Sequence, residues 1–328
     1  MGRNGTGKTN LLESVHVGTQ GFSPRTRTEA QLIRFGEVAS RVSLRGSRGG
    51  VPVEVEVTLR GREGKQALLN REPLRATEQL RSEIATLVFT PERLAIVKGP
   101  PAVRRAYFDR TLARLAPAKA TLSGEYGAAL AQRNASLRRV AAGFSSPAAL
   151  EPWTEAVATL GARVVVARHE AIALLDPPFH GCCAELGLEG AHLAYRGEPP
   201  TAAGLEARLA RDLERGVTGL GPHLDDIALN AGSRDLRLFG SQGEQRLAVL
   251  SLLLAEAELL LARGTPALLL LDDVLSELDG ERRRALAERI ARAGQTLVTA
   301  TSASALPLAP AQVVEVTPGD ARKAPCPS

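Results

Sequence analysis

Residues Gly2-Arg3-Asn4-Gly5-Thr6-Gly7-Lys8-Thr9 fit the pattern G-x-x-x-x-G-K-[ST]. The pattern requires a buried strand, a glycine-rich turn whose N–H groups close around phosphates, and a helix whose N-terminus faces the same anion. Gly2, Arg3, Asn4, Gly5, Thr6 and Gly7 would then form the cradle. Lys8 would reach the β and γ phosphates, and Thr9 would hold Mg²⁺. Asn10 to Val17 read on as an amphipathic helix with Leu11, Leu12 and Val15 on one side, which a Gly-rich turn with an exposed Lys would not need. Only Met1 precedes Gly2, so the expectation is either a chain shortened at its start or another segment in the place of the aiming strand. Met1-Gly2 with Thr6 also matches an N-myristoylation pattern, but the phosphate loop uses the same residues.

A second half of a nucleotide site lies far along the chain. Ala267 to Leu271 is a short unbroken apolar run, as expected of a parallel strand buried on both faces, and it ends in Asp272-Asp273. Carboxylates there are costly unless a cation or donor compensates them. Asp272 is therefore expected to meet Mg²⁺ and Asp273 to orient or deprotonate the attacking water. Taken alone, the pair could be an acidic helix cap. Ser241-Gln242-Gly243-Glu244-Gln245 opens the apolar helix Leu247 to Leu261. By itself it reads as a capping box of Ser241 with Glu244. Just ahead of the Asp-Asp strand, it also suits a phosphate contact.

From Ala39 to Asn70 apolar and polar residues alternate, clearest in Val51, Val53, Val55, Val57 and Leu59, with turns expected at Gly46, Gly49-Gly50 and Gly61. This predicts an antiparallel β subdomain with one wet face. Thr86 to Phe89 reads as a strand, with Thr90 capping a helix that starts at Pro91. Helical patterns then dominate: Arg104 to Leu115, Ser123 to Ala142, Ala148 to Leu175 and Thr201 to Arg215, broken by Asp176-Pro177-Pro178 and by Gly197 to Pro200. A hairpin is expected over Ile227 to Phe239, turning at Ala231-Gly232-Ser233, and a frayed tail from Pro318. The expected organisation is an α/β head at 1–102 and 217–328 with a helical domain inserted at 103–216.

Composition narrows the class. With 44% hydrophobic and 23% charged residues the chain is an ordinary globular one. The most apolar stretch, Leu247 to Leu271, is interrupted by Glu256, Glu258, Arg263, Gly264 and Pro266, so no membrane span is expected. Three cysteines make no disulfide framework, and His180 beside Cys182-Cys183 lacks the second ligand pair of a metal site. A cytoplasmic, reducing setting fits. The formal charge of +5 is compatible with a nucleic-acid partner and does not establish one.

The order of phosphate loop, signature helix and Asp-Asp strand resembles the ABC-type ATPases, and in detail the RecF family of recombination mediators, relatives of the SMC proteins. The similar stretches are Asn4 to Glu13, Phe89-Thr90-Pro91-Glu92, Val97 to Pro101 with Arg104-Arg105, Gln132-Arg133-Asn134, Gly221-Pro222-His223 with Asp225-Asp226, Ser241 to Gln245, and Leu271 to Val274. The resemblance implies an ABC-type P-loop ATPase head with an antiparallel β subdomain and an inserted helical domain. It implies ATP and Mg²⁺ as cofactors, an ATP-dependent homodimer, slow hydrolysis used as a switch, and action on single- and double-stranded DNA at gaps or junctions with RecR and RecO partners. Ser241, Gly243 and Glu244 would face the partner's γ-phosphate, and Asp279, in Ser276-Glu277-Leu278-Asp279, would lie in the coupling D-loop. Thr301, after the strand Gln295 to Val298, would stand in for a γ-phosphate sensor. Leu224 departs from the family, which often has Arg there, and the Q-loop glutamine has no assigned position. Arg25, Arg27, Arg34, Arg41, Arg45, Arg48, Arg104 and Arg105 are the candidate DNA contacts, binding phosphates without reading sequence. The competing readings are the nucleotide-binding subunit of an ABC transporter, which the long helical insertion and missing switch histidine oppose, and a truncated module defective in ATP binding. A longer SMC-type chain is opposed by the lack of coiled-coil heptads.

Overall fold

The computed structural model describes residues 1–26, 28–61, 64–276, 278–302 and 305–324. In chain order the helices are α1 (Lys8–Gln20), α2 (Leu80–Glu83), α3 (Ala95–Lys98), α4 (Pro101–Leu115), α5 (Leu122–Ala141), α6 (Glu151–Glu185), α7 (Ala202–Ala207), α8 (Leu209–Arg215), α9 (Leu236–Phe239), α10 (Gln242–Ala262) and α11 (Gly280–Arg292). The strands are β1 (Ala39–Arg48), β2 (Val51–Arg60), β3 (Gly64–Leu69), β4 (Glu72–Pro73), β5 (Thr86–Phe89), β6 (Ala191–Arg196), β7 (Asp226–Ala231), β8 (Arg234–Asp235), β9 (Leu268–Leu271), β10 (Thr296–Val298), β11 (Val313–Thr317) and β12 (Asp320–Ala324).

Two compact units divide the chain. The first comprises Met1–Arg93, Glu185–Gly187 and Leu253–Ser328. Its parallel sheet has the order β10-β9-β5, with Phe89 opposite Leu271 and Val298 opposite the same residue on the other side. Helix α1 covers one face, where Leu12 packs with Val88 and Leu270. Farther along α1, Val17 joins Val55, Val57, Leu59, Ala67 and Leu80 in a second cluster, which fastens the antiparallel sheet β1-β2-β3-β4 to the same helix. Alternation explains β2: Val55, Val57 and Leu59 are buried and the intervening Glu54, Glu56 and Thr58 are not. The β1–β2 turn is Gly49-Gly50 at φ 57° and 83°, a pair of left-handed conformations that glycine adopts without strain and that matches strand twist.

The second unit comprises Leu94–Ala184 and Leu188–Leu252. Leu112, Leu122, Tyr126, Val157, Val164 and Leu205 build its helical core. Beside it lies an antiparallel sheet of order β6-β7-β8. Buried charges are paired: Arg133, fully buried, donates to Asp212 at 2.9 Å and to Thr218 at 2.8 Å. Arg168 forks onto Asp109 at 2.8 and 2.9 Å and donates to the Pro222 carbonyl. Such pairs are costly to break, because the surviving charge stays buried.

Several expectations are corrected. The helical unit begins at Leu94 and extends to Leu252, because β7 pairs with β6 along six residues and stays with that unit instead of returning to the parallel sheet. Strand β6 itself was unforeseen. Pro177 and Pro178 lie inside α6 and do not end it: the buried series Leu175, Phe179, Cys182 and Cys183 continues past them, and that packing outweighs the lost hydrogen bonds. Gly46 sits within β1, paired with Val53. Residues 236–239, expected as strand, form α9, which Asp235 caps through the Arg237 N–H. The tail is ordered into the hairpin β11–β12 as far as Ala324. The main chain of Met1 lies along β11, with the Met1 carbonyl accepting from Val316 N–H at 2.8 Å. Cys326 falls outside the described residues.

Candidate nucleotide-binding site

The first unit assembles the phosphate loop and the Asp-Asp strand end into one place. Gly7, at φ 100°, is the N-cap of α1, a left-handed conformation that costs a side-chain-bearing residue strain. It turns the loop so that the helix N-terminus, with its unpaired N–H groups and positive dipole end, faces the loop's interior. Thr6 closes the turn by donating to the Arg3 carbonyl at 2.9 Å. Lys8 Nζ donates to the carbonyls of Gly2 at 2.7 Å and Arg3 at 3.0 Å, so its charge curls back over the cradle. No described bond involves the side chain of Asn4, and both Asn4 and Gly5 are exposed.

Thr9, in the first turn of α1, donates its hydroxyl to Asp272 Oδ2 at 2.9 Å, with Oδ1 at 3.1 Å. Asp272 is 5% exposed, at the end of β9. Its desolvation is offset by hydroxyl donors, the second being Thr299 Oγ1 at 2.7 Å from Oδ1. Thr299 in turn accepts from the Asp273 N–H at 2.9 Å. A carboxylate and a hydroxyl converging beside a phosphate cradle form an oxygen donor set that suits a hard divalent cation. Asp273 stands at φ 49°, rare for a residue with a side chain, and is exposed while its neighbour is buried. The two acids thus face different environments, one buried among hydroxyls and one open to solvent.

Thr299 was not foreseen. Thr301, the residue singled out in that segment, is exposed. Asp279 caps α11, accepting from the Arg282 N–H at 2.9 Å, and Glu277 of the same segment lies outside the described residues.

The signature segment belongs to the second unit and forms the reciprocal capping box: the Ser241 N–H donates to Glu244 Oε2 at 2.8 Å and the Glu244 N–H to Ser241 Oγ at 3.2 Å. The Ser241 N–H and the Arg234 guanidinium at 2.9 Å hold the Glu244 carboxyl below its ordinary range. Ser241 and Gly243 remain exposed, so the box leaves the serine on the surface.

The arginines divide. Arg104 is corrected as a DNA contact: it is 2% exposed, forks onto Asp226 at 2.7 and 2.8 Å, and donates to the carbonyls of Val97 and Gly99. Four of the five N–H donors of its guanidinium are spent inside the protein. Arg105 is half-buried and donates to the Asp225 carbonyl, and desolvation lowers its pKa. On the exposed side of β1, Arg41 and Arg45 face Glu56 and Glu54, while Arg48 meets Glu83 and Arg25 meets Glu13 and Glu92. These surface pairs are weak, about 0–1 kcal/mol each, and phosphates can displace them. Arg34, on the exposed turn Arg34–Glu37, makes no ion pair among the described residues. Arg27 lies outside them.

The RecF/RecN/SMC N-terminal domain matches residues 1–323, nearly the whole chain. The chain belongs to this family. Within the family it is 37% identical over 301 residues to the DNA replication and repair protein RecF of Heliobacterium modesticaldum, covering 87% of this chain and 81% of the relative. Family architecture carries over to the fold. The solved structure of the recombination mediator protein RecF with ATP, from the RecFOR pathway, superposes with a TM-score of 0.84 at 27% identity, covering 99% of this chain and 90% of that one. An SMC head bound to the C-terminal winged-helix domain of ScpA superposes at 0.55 and 14%, covering 98% and 87%, a likeness of fold alone. The α/β class and the ABC-type ATPase head are thereby those of the family.

Proposed function

We propose that this chain is a DNA replication and repair protein of the RecF kind, a recombination mediator that binds ATP at the Gly2–Thr9 loop and uses slow hydrolysis as a switch. The observation that carries the reading is the bond between Thr9 and Asp272, residues 263 apart in sequence, which joins the two halves of a P-loop site. Thr9 and Asp272 would hold Mg²⁺, which would neutralise phosphate charge. Lys8 and the α1 N-terminus bind the phosphates. Asp273 orients the attacking water, and Thr299 fixes the position of both acids. The exposed Ser241 and Gly243, with the half-buried Glu244 beside them, are suited to a nucleotide held by a second copy, with Asp279 close in sequence to the acids, so ATP would join two chains. The DNA partner is reached through Arg25, Arg34, Arg41, Arg45 and Arg48, and RecR and RecO types are the protein partners. The setting is cytoplasmic; no described helix is long and apolar enough to cross a membrane. The transporter reading finds no support in the family or its structures.

Titration of a fluorescent ATP analogue, with and without gapped DNA and with mass measured in parallel, tests the proposal. ATP is expected to raise both dimer mass and DNA affinity, and Lys8→Ala to abolish both. DNA affinity indifferent to nucleotide would sink it.

A further inference from the structure

Helix α5 of the second unit ends in a turn that presents an aromatic ring to solvent. Gly143 stands at φ 77°, its N–H donates to the Val140 carbonyl at 3.0 Å, and the Phe144 N–H donates to the Arg139 carbonyl at 2.9 Å. This is the Schellman closure of a helix, in which the residue after the glycine commonly folds an apolar side chain back onto the last turn. The positions that would receive it are Arg138 and Arg139, and Phe144 stays 78% exposed.

The C-terminal end of α8 lies against the same turn. Arg138 donates to the Gly216 carbonyl at 3.4 Å, and one helical turn earlier Asn134 accepts from the N–H and the hydroxyl of Thr218 at 2.8 and 2.7 Å. Arg215, immediately before Gly216, and Arg211, four residues earlier on the same face of α8, are exposed, as are Arg138 and Arg139. None of these four forms an ion pair among the described residues. Acids are scarce around them. The chain has no Asp or Glu between Glu125 and Glu151, and Asp212 is buried and spent on Arg133, which leaves Glu214 as the exposed acid of α8. Arginines in a last helical turn complement the helix dipole, which accounts for their charge but not for a ring held in water beside them.

Guanidiniums with few acids near them select phosphates or carboxylates, and the like charges disfavour a second copy of the same surface. The ring selects further. Single-stranded DNA alternates an anionic group with a flat apolar face at every nucleotide, whereas in a duplex the base faces are stacked and closed to a side chain. The geometry points to this end of the second unit as a subsite for single-stranded DNA, with an unpaired base stacked on Phe144 and flanking phosphates held by Arg138, Arg139, Arg211 and Arg215. The inference rests on the DNA partner proposed above and adds a contact that phosphate binding alone does not supply: it tells an unpaired strand from a bare backbone.

The experiment follows the fluorescence anisotropy of three labelled probes with the full chain over a salt series: oligo-dT, the same strand with its bases removed, and a duplex of the same length. Arginines that bind phosphates alone treat the first two alike. The parent is expected to bind oligo-dT about tenfold more tightly than the abasic strand. Phe144→Ala should bring the two affinities together, and Phe144→Trp should keep them apart. Replacing Arg138 and Arg139 together by Gln should lower the salt slope for oligo-dT by about 1.4. Thermal unfolding, measured alongside, checks that each variant folds. Equal affinity of the parent for both strands, a difference that survives Phe144→Ala, or Phe144→Trp as impaired as Phe144→Ala would overturn the inference and leave the DNA reading standing, as would a parent that binds the duplex alone. A parent that binds none of the three probes would overturn both.

Discussion

Asp273 combines a charge exposed to solvent with a backbone conformation that side chains avoid. Holding a non-glycine residue there costs of order 1–3 kcal/mol, and the Thr299 hydroxyl on its N–H helps to hold it. Strain and chemistry can be separated, because Asn tolerates this conformation nearly as well as Asp, whereas Gly relaxes it. Asp273→Asn should leave stability and nucleotide binding unchanged and lower ATP turnover by about 10²- to 10⁴-fold. Asp273→Gly should lower turnover similarly and raise unfolding free energy by about 1 kcal/mol. Turnover unaffected in both variants, measured by phosphate release, would refute the role given to this carboxylate. The meeting of the phosphate loop with the Asp-Asp strand end was legible in the sequence because the loop pattern restricts which residues can stand there. Thr299 was not. Threonine is common and its part here is set by register between strands remote in sequence, which no local pattern records. Arg104 misled for the opposite reason: its partner Asp226 is over a hundred residues away, so the sequence showed a basic pair where the fold has a buried ion pair.

At the scale of elements, the β subdomain was the clearest reading because period-two alternation and paired glycines are local signals. Its first hairpin depends on Gly49 and Gly50, both left-handed. Replacing both with Ala should cost about 1–2 kcal/mol per position, whereas Gly49→Asn should be tolerated; chemical denaturation separates the two, and a neutral double-Ala variant would contradict the turn assignment. The contrasting case is Asn70-Arg71 at φ 50° and 73°, which makes the same kind of turn with no glycine to announce it. Strand β6 escaped notice because Ala-His-Leu-Ala-Tyr-Arg has no β-branched residue, and pairing with β7 decides its conformation. The proline pair of α6 gave a strong local stop signal that burial on either side overrode.

Across the whole molecule, buried titratable groups concentrate in the second unit. Burial lowers the pKa of His223 from its ordinary 6.5. Its Nε2 faces the Thr218 carbonyl and must donate, so Nδ1 accepts from the Tyr126 hydroxyl, an arrangement of the neutral ring. The folded state resists a proton that the unfolded chain takes up. The stability linked to neutral His223 is therefore complete above pH 6.5 and lost as the pH falls through the lower folded value. Asp225, whose pKa burial raises from 3.8, acts in the opposite sense nearer to acid. Hydrogen exchange just below pH 6.5 should show the second unit losing protection relative to neutral pH, and His223→Asn should flatten that difference; equal loss in the first unit would argue against His223 as its source.

The chain's path through its two units also orders its synthesis. β5 finds its hydrogen-bonding partner only in β9, and β9 is completed by β10, whereas every segment of the second unit lies between them. On a ribosome the inner unit can fold while the head's parallel sheet still waits for its middle strand, with Leu87 and Phe89, which alternate to the face away from α1, uncovered in the meantime. That exposed apolar stretch is a natural place for a chaperone to hold the nascent protein until Leu268–Leu271 emerges.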